Sequence, residues 1–424
     1  MSSRLRIFFL LVILVFMIHA LLTGLAVSRL TAALDHHDKT IESYFAPSFA
    51  VSLCTLPLYP VLAGKLGLFA ISALNSALVA IIIAFVLVYL SWRAILAIIV
   101  GVPLLLLIAM IGGAMLIEQR IDRGWRELAP HAVVPPPHGD VSSPLSNATI
   151  TSLNAYLASQ LARGDDLIDP LPQEVVWFLV AHRSDIDALR QRSPGTSDPL
   201  ARLRMQKVLL VDALQVGSWA DVEAARRLTE SMLRQPNFNE VLYAITAAEN
   251  QLGVMRKLDP HYGVSIPSFD PHQMLIDAIA AQDARILKLS APWYARPYAR
   301  LCAAESAYSG LRQAMIIHNL RGCRFDAPRD LDAKPRVPFN PTGVLSEGAW
   351  LAARANRLVL DREGTERVLA AKSGGQPPAT GECSDRKWIL EGNVLRLEPP
   401  LPATAPALPT RHEFSARLVA RSTS

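Results

Sequence analysis

The chain has 424 residues, of which 51% are hydrophobic and 19% charged, and its formal net charge at pH 7 is +5. This length predicts two or three structural units, and the apolar content is high for a soluble protein. The excess lies before residue 118, where only six of 42 Lys and Arg and three of 37 Asp and Glu occur. The remainder is nearly balanced and has no basic block, so we expect no nucleic-acid partner.

Residues 7–28 form the first apolar run and follow a short basic flank. The run is longer than the core of a signal peptide and no strong cleavage site follows it, so we expect an uncleaved membrane anchor. His19 lies within this run, and the other runs offer it no acidic partner. We therefore expect a neutral histidine that faces another helix rather than a proton relay.

Two further apolar runs, 67–90 and 94–117, contain no charged residue and are separated by the three residues 91–93. Each reaches the roughly 20 residues that cross a hydrocarbon core, and so short a break predicts a transmembrane helical hairpin. Asn75 inside the first of these runs predicts a polar contact with another helix.

Residues 45–64 are uncharged and just long enough to span, but they contain three prolines. Four spans place six flanking basic residues in the cytoplasm and three outside, whereas three spans reverse these numbers. We therefore expect four spans in a bacterial inner membrane, followed by a cytoplasmic domain. Three spans and a periplasmic domain stay open, because the prolines and the loop cysteines favour them.

The predicted fold class is mainly α, with the transmembrane region ending at residue 128 and a proline-rich linker over 129–146. Residues 147–322 show helical periodicity and predict a domain of packed helix pairs. The expected helix starts are unevenly spaced, which argues against a repeat array. Residues 323–424 predict an irregular region with two short helices, a β-hairpin near 387–397 and a disordered tail.

Four cysteines occur, and no pair has the C-x-x-C spacing of a zinc or redox site. Cys54 lies in an apolar segment, and Cys302 lies in a helical one. Cys323 and Cys383 lie in loop-like surroundings and are the candidates for a disulfide.

Three groups of histidines and carboxylates are candidate metal or catalytic sites. Neighbouring side chains at 36–38 (His-His-Asp) diverge, so we expect no metal there. His182 with Asp185 and Asp187 predicts a solvated polar group on a helix rather than a catalytic one. The loop between His261 and His272 could hold a metal or a small ligand, but Asp270 before Pro271 better predicts a helix cap. We expect neither a metal nor a cofactor.

An aromatic stretch begins at Pro292 and includes Trp293, Tyr294, Arg296 and Tyr298. Aromatic residues with arginine are typical of interfaces, and they also cover the ends of helical cores.

No known catalytic or nucleotide motif occurs, so the sequence predicts a non-enzymatic scaffold or protein-binding module at the membrane. Its expected partners are the lipid bilayer and a protein. A membrane-tethered hydrolase or cell-envelope enzyme is the alternative.

Overall fold

The computed structural model describes residues 3–34, 42–56, 58–62, 67–128, 130, 147–191, 198–233, 238–260, 266–325, 340, 348–375, 381, 383, 386–401 and 409–414. Contacts divide the chain into two units. Unit 1 comprises Met1–Glu127, Asp283–Arg312 and Asp332–Ser346, and unit 2 comprises Leu128–Gln282, Gln313–Leu331 and Glu347–Ser424. Residues 283–312, which the sequence analysis placed with the helical domain, therefore belong to unit 1. Apart from residue 130, the expected linker 129–146 lies outside the described residues.

The helices of the N-terminal part are α1 Ser3–Leu34, α2 Glu42–Thr55, α3 Tyr59–Leu62, α4 Leu68–Tyr89 and α5 Trp92–Leu128. Helix α1 packs against α2 and α4. Helices α1, α4 and α5 are long and apolar enough to cross a membrane. The prediction of apolar helices over 7–28, 67–90 and 94–117 is confirmed.

A fourth span over 45–64 is not confirmed. Helix α2 has 14 residues, so it rises about 21 Å, less than the roughly 30 Å of a hydrocarbon core. It ends at Thr55, and the next helix, α3, has four residues. Phe45 and Val51 of α2 are fully buried, so this helix is packed within unit 1.

Two polar contacts link apolar helices of unit 1. His19 Nδ1 lies 2.9 Å from Ser76 Oγ on α4, and Asn75 Nδ2 donates to the carbonyl oxygen of Cys54 at 2.7 Å. Both predicted interhelical contacts, that of His19 and that of Asn75, are confirmed. The Asn75 bond satisfies a carbonyl near the end of α2, where the last carbonyls of a helix lack an N–H donor from a further turn.

The described helices of residues 147–322 follow the predicted periodicity, and one further helix comes after them. They are α6 Asn147–Ala162, α7 Gln173–Ala181, α8 Arg183–Gln191, α9 Pro199–Val216, α10 Trp219–Leu233, α11 Phe238–Lys257, α12 Pro271–Ile286, α13 Arg296–Asn319 and α14 Gly348–Lys372. Helices α9, α10 and α11 pack on one another, and α11 also packs on α14. Leu203, Met232, Ala244 and Ala247 form a buried cluster among the first three.

Helix α9 shows why the chain folds locally as predicted. Asp198 caps it by accepting the N–H of Leu200 at 2.9 Å, and Pro199 occupies the first turn. The helix stops at Gly217, which adopts a left-handed conformation with φ 70° and donates its N–H to Ala213. These are the start and stop signals expected of a helix in sequence.

Helix α14 corrects the prediction of two short helices, because it is one helix of 25 residues. Gly364 lies in its interior, and the Trp388 ring packs directly against it. A Cβ at residue 364 would approach that ring to 2.8 Å. The glycine therefore provides space for a side chain that comes from later in the chain.

A small antiparallel sheet packs on α14. Its strands are β1 Lys387–Glu391, β2 Val394–Glu398 and β3 Arg411–Glu413, in the order β1-β2-β3. Trp388 pairs with Leu397, and Gly392 (φ 63°) lies in the two-residue turn between β1 and β2. The predicted hairpin is confirmed, and β3 is an element that the sequence analysis did not predict within the tail. The remaining tail residues, 402–408 and 415–424, lie outside the described part of the chain.

An ion pair joins α11 to α14 within unit 2. Arg256 pairs with Asp361 and donates to Thr365 Oγ1 at 2.7 Å. All three side chains are buried. Because each charge has its partner and further hydrogen bonds, the pair can lie away from water.

Candidate functional site

A cavity of about 390 Å³ lies within unit 2 beside the start of α12. It is lined by residues 268–272, residues 321–323 after α13, and Val359 and Arg362 of α14. Three segments that are distant in sequence therefore form its wall. We treat it as the candidate site because a carboxylate, a histidine and two guanidinium groups line it.

Asp270 caps α12 at the mouth of this cavity. Its carboxylate accepts the N–H groups of His272 at 2.9 Å and Gln273 at 3.0 Å, and Pro271 takes the first helical position. The predicted capping role is confirmed. Burial alone would raise the pKa of Asp270, but the His272 side chain, the Gln273 N–H and Arg321 hold that pKa well below its usual value.

His272 is buried and held on its other side by Asn356. Its Nε2 lies 2.8 Å from Asn356 Oδ1, and Asn356 Nδ2 donates to the carbonyl oxygens of Leu320 and Arg324. Its Nδ1 lies 3.7 Å from Asp270. Because Nε2 faces Asn356 and Nδ1 faces the Asp270 carboxylate, both ring nitrogens have protein neighbours, and the imidazole is poorly placed to accept a proton from a bound molecule.

Two guanidinium groups provide the positive charge of the site. Arg321 Nη2 donates to Gln273 Oε1 at 2.7 Å and pairs with Asp270 at 3.4 Å. Arg362 Nη1 donates to the carbonyl oxygen of Phe269 at 3.2 Å. The cavity lining thus holds two cationic groups and one carboxylate, an excess of positive charge that suits a carboxylate on a ligand.

Cys323 lies in the cavity wall, and the structure joins its sulfur to that of Cys383 in a disulfide. The two Cα atoms are 5.2 Å apart, and both side chains are buried. Cys323 also adopts a left-handed backbone conformation with φ 65°, which is uncommon for a residue with a side chain. The disulfide links the turn after α13 to the segment before β1. The other two cysteines are free, with Cys302 buried and Cys54 partly buried.

The aromatic stretch lies elsewhere, in unit 1. Trp293, Tyr294 and Arg296 are exposed, whereas Tyr298 is buried and its hydroxyl lies 3.0 Å from Ser52 Oγ. The structure therefore separates these four residues into an exposed group and a core residue. None of them contributes to the cavity.

Among the histidines that the structure describes, only His272 lines the cavity. His182 lies between α7 and α8, and its Nδ1 is 3.1 Å from Oδ2 of Asp185 on α8, in an exposed polar pair. Residues 36–38 and His261 lie outside the described residues. Within the part of the chain that the structure describes, no group of three His, Cys, Asp or Glu side chains could hold a metal ion.

Sequence reasoning missed Arg321, Asn356 and Arg362. Each comes from the end of α13 or from α14, more than 45 residues after Asp270. None of them belongs to a local motif. They reach the cavity through the tertiary fold, in which Asn356 of α14 contacts His272 of α12 and Arg321 contacts Gln273.

Comparison with protein-family models, with curated proteins and with solved structures gave no match for this chain. The function is therefore argued from the geometry alone.

Proposed function

We propose that this protein is a non-enzymatic binding module that is anchored in a membrane by α1, α4 and α5 and carries unit 2 on the extracytoplasmic side. The single observation that carries the placement is the disulfide between Cys323 and Cys383. Disulfides persist in oxidising compartments, such as the bacterial periplasm, and are rare in the cytosol.

Span counting supports the same side. Three of the described helices are long and apolar enough to cross, and an odd number of spans puts the two ends of the membrane region on opposite sides. With the N-terminus in the cytoplasm, unit 2 is outside. The flanking basic residues favour the reverse. We give the disulfide more weight, because a persistent disulfide requires an oxidising compartment, whereas the charge rule is a statistical bias.

Binding rather than catalysis is proposed because the polar groups of the cavity already have structural partners. Asp270 caps α12, His272 is held by Asn356, and Arg362 contacts the Phe269 carbonyl. The positive wall suits a carboxylate, so we propose an acidic segment of a protein partner as the ligand.

The membrane side is tested by fusing alkaline phosphatase, active only outside the cytoplasm, or green fluorescent protein, fluorescent only inside, near residue 135. We expect phosphatase activity there. The same reporters fused at Ser91, between α4 and α5, are the control and should give fluorescence only. Fluorescence at residue 135 would overturn the extracytoplasmic placement.

Binding is tested by photocrosslinking in cells of the source organism. A photoreactive phenylalanine at Phe269, in the cavity wall, should give one adduct of defined mass. The matched control replaces Val216, which is 59% exposed at the end of α9. Substitution R362E should lower the Phe269 yield if a carboxylate docks there. Equal yields at the two positions, or no effect of R362E, would contradict the proposal.

A cell-envelope hydrolase is the second candidate, and the observation that favours it is the proximity of His272 and Asp270 in one cavity. The two functions differ in that a hydrolase cleaves its substrate repeatedly, whereas a binding module does not cleave it. Release of fragments from purified peptidoglycan that is abolished by H272Q would establish the hydrolase and overturn the binding module.

A further inference from the structure

Residues 287–295, which precede α13 in unit 1, expose two large aromatic rings. Trp293 is 78% exposed and Tyr294 is 50% exposed, and the rings contact each other edge to face at 5.8 Å between centroids. Leu287 is also exposed. Adjacent exposed rings of this size mark a surface that a membrane or another molecule covers.

The same segment is fixed to the apolar part of α5. Tyr298 and Phe45 belong to a buried cluster in unit 1, and Leu289, Ala291 and Met110 pack against it. Met110 lies within the uncharged run 94–117 of α5. The aromatic segment therefore lies beside residues that belong to a candidate membrane span.

An ion pair marks where the apolar run ends. Arg300 Nε and Nη2 donate to the two carboxylate oxygens of Glu118 at 2.7 and 2.6 Å. Glu118 is the first charged residue after the run. Met110 precedes it by eight residues, or about 12 Å along the helix axis. Leu289 and Ala291 share a buried cluster with Met110, so this cluster lies on the side of the Arg300–Glu118 pair that faces the apolar run.

Burial along α5 shows the same boundary. The apolar window of this helix is only 6% buried within the protein. From Met110 onward one face is covered, and Leu301 and Leu311 of α13 lie against Gly113 and Gly124. Any Cβ at Gly124 would collide with Leu311. Helix α13 therefore begins at the level of the last two apolar turns of α5.

The charge around the rings suits a lipid surface. Residues 284–304 contain four basic side chains and no Asp or Glu; the basic ones are Arg285, Lys288, Arg296 and Arg300. Tyrosine and tryptophan concentrate at membrane–water interfaces, and basic residues nearby attract anionic headgroups.

We propose that Trp293 and Tyr294 insert into the interfacial layer of the bilayer that α5 crosses, with Lys288 and Arg296 at the anionic headgroups. Residues 287–295 then form a membrane anchor separate from the spans, and they fix the start of α13 at the surface. The proposal rests on the membrane insertion of α5, which is part of the proposed function.

The test places a nitroxide on the full-length protein, reconstituted in vesicles of phosphatidylcholine and phosphatidylglycerol. The label is introduced by W293C in a C54A/C302A background, and its collisions with oxygen and with a water-soluble nickel complex are compared. L105C, at an exposed position in the middle of α5, reports lipid. W177C, on an exposed face of α7 in unit 2, reports water. The background protein without an added cysteine controls for labelling elsewhere.

We expect the oxygen-to-nickel collision ratio at residue 293 to lie between those at residues 105 and 177. A ratio at 293 equal to that at 177, with 105 in lipid, would overturn the lipid anchor and leave the spans intact. Low collision with both reagents at 293 would also overturn it, in favour of a protein contact. A water-like ratio at 105 would instead contradict the membrane insertion on which the proposal rests.

Discussion

His412 is a single buried side chain whose protonation opposes folding. It lies in β3 with 5% of its surface exposed, and its ring stacks on Trp388 with centroids 5.6 Å apart. Its Nε2 is buried without a hydrogen-bond partner. Burial, together with the positive charges of Arg256 and Lys257, holds the pKa of His412 well below 6.5.

The sign of the resulting pH dependence follows from linkage. Above pH 6.5 both the folded and the unfolded chain carry a neutral His412, so the full stability is present. Below pH 6.5 the unfolded chain binds a proton at His412, whereas the folded chain does not. The free energy of unfolding therefore falls by up to about 1.4 kcal/mol per pH unit as pH decreases from 6.5 to about 5.

We predict that H412F removes this part of the pH dependence. The measurement is the urea midpoint of the full-length protein in micelles at several pH values, for the native chain and the variant. H318Q changes an exposed histidine on α13 and should leave the native profile unaltered. Parallel native and H412F profiles below pH 6.5 would show that His412 takes up its proton without cost in the folded state.

At the scale of elements, residues close in sequence were enough to predict an element wherever capping or turn residues set its ends. Asp198 and Pro199 start α9, Gly217 ends it, and Gly392 lies in the hairpin turn, so these elements were predicted correctly from the sequence. Such positions are decided by capping and turn conformation, which depend on neighbouring residues only.

The failures share a different cause, since each depends on a contact with a distant residue. The sequence predicted two short helices where α14 is continuous, and Gly364 within it leaves space for the Trp388 ring, which comes from later in the chain. The start of α13 looks like part of the helical domain, but Gly113 and Gly124 of α5 accept its leucines in unit 1. The positively charged side of the cavity was missed for the same reason.

At the scale of the whole molecule, the C-terminal region depends on few elements. The sheet has three short strands, and it is held by one apolar cluster with α14 that includes Val359, Leu360, Trp388 and Leu395. The disulfide belongs to the same cluster. It closes a loop of 60 residues between α13 and β1, so it constrains the unfolded chain strongly.

This loop length gives the last prediction. In the chain-entropy model, a closed loop of that size stabilises the folded state by about 4 kcal/mol. We therefore expect a reductant to lower the urea midpoint of the full-length protein purified from an oxidising compartment, and C323A/C383A to have the same low midpoint with or without it. C54A keeps the disulfide and should stay sensitive to reductant. A native midpoint that does not respond to reductant, together with two free thiols at 323 and 383 by mass mapping, would remove the main support for an extracytoplasmic unit 2. Span counting and the flanking charges would then remain, and they favour opposite sides.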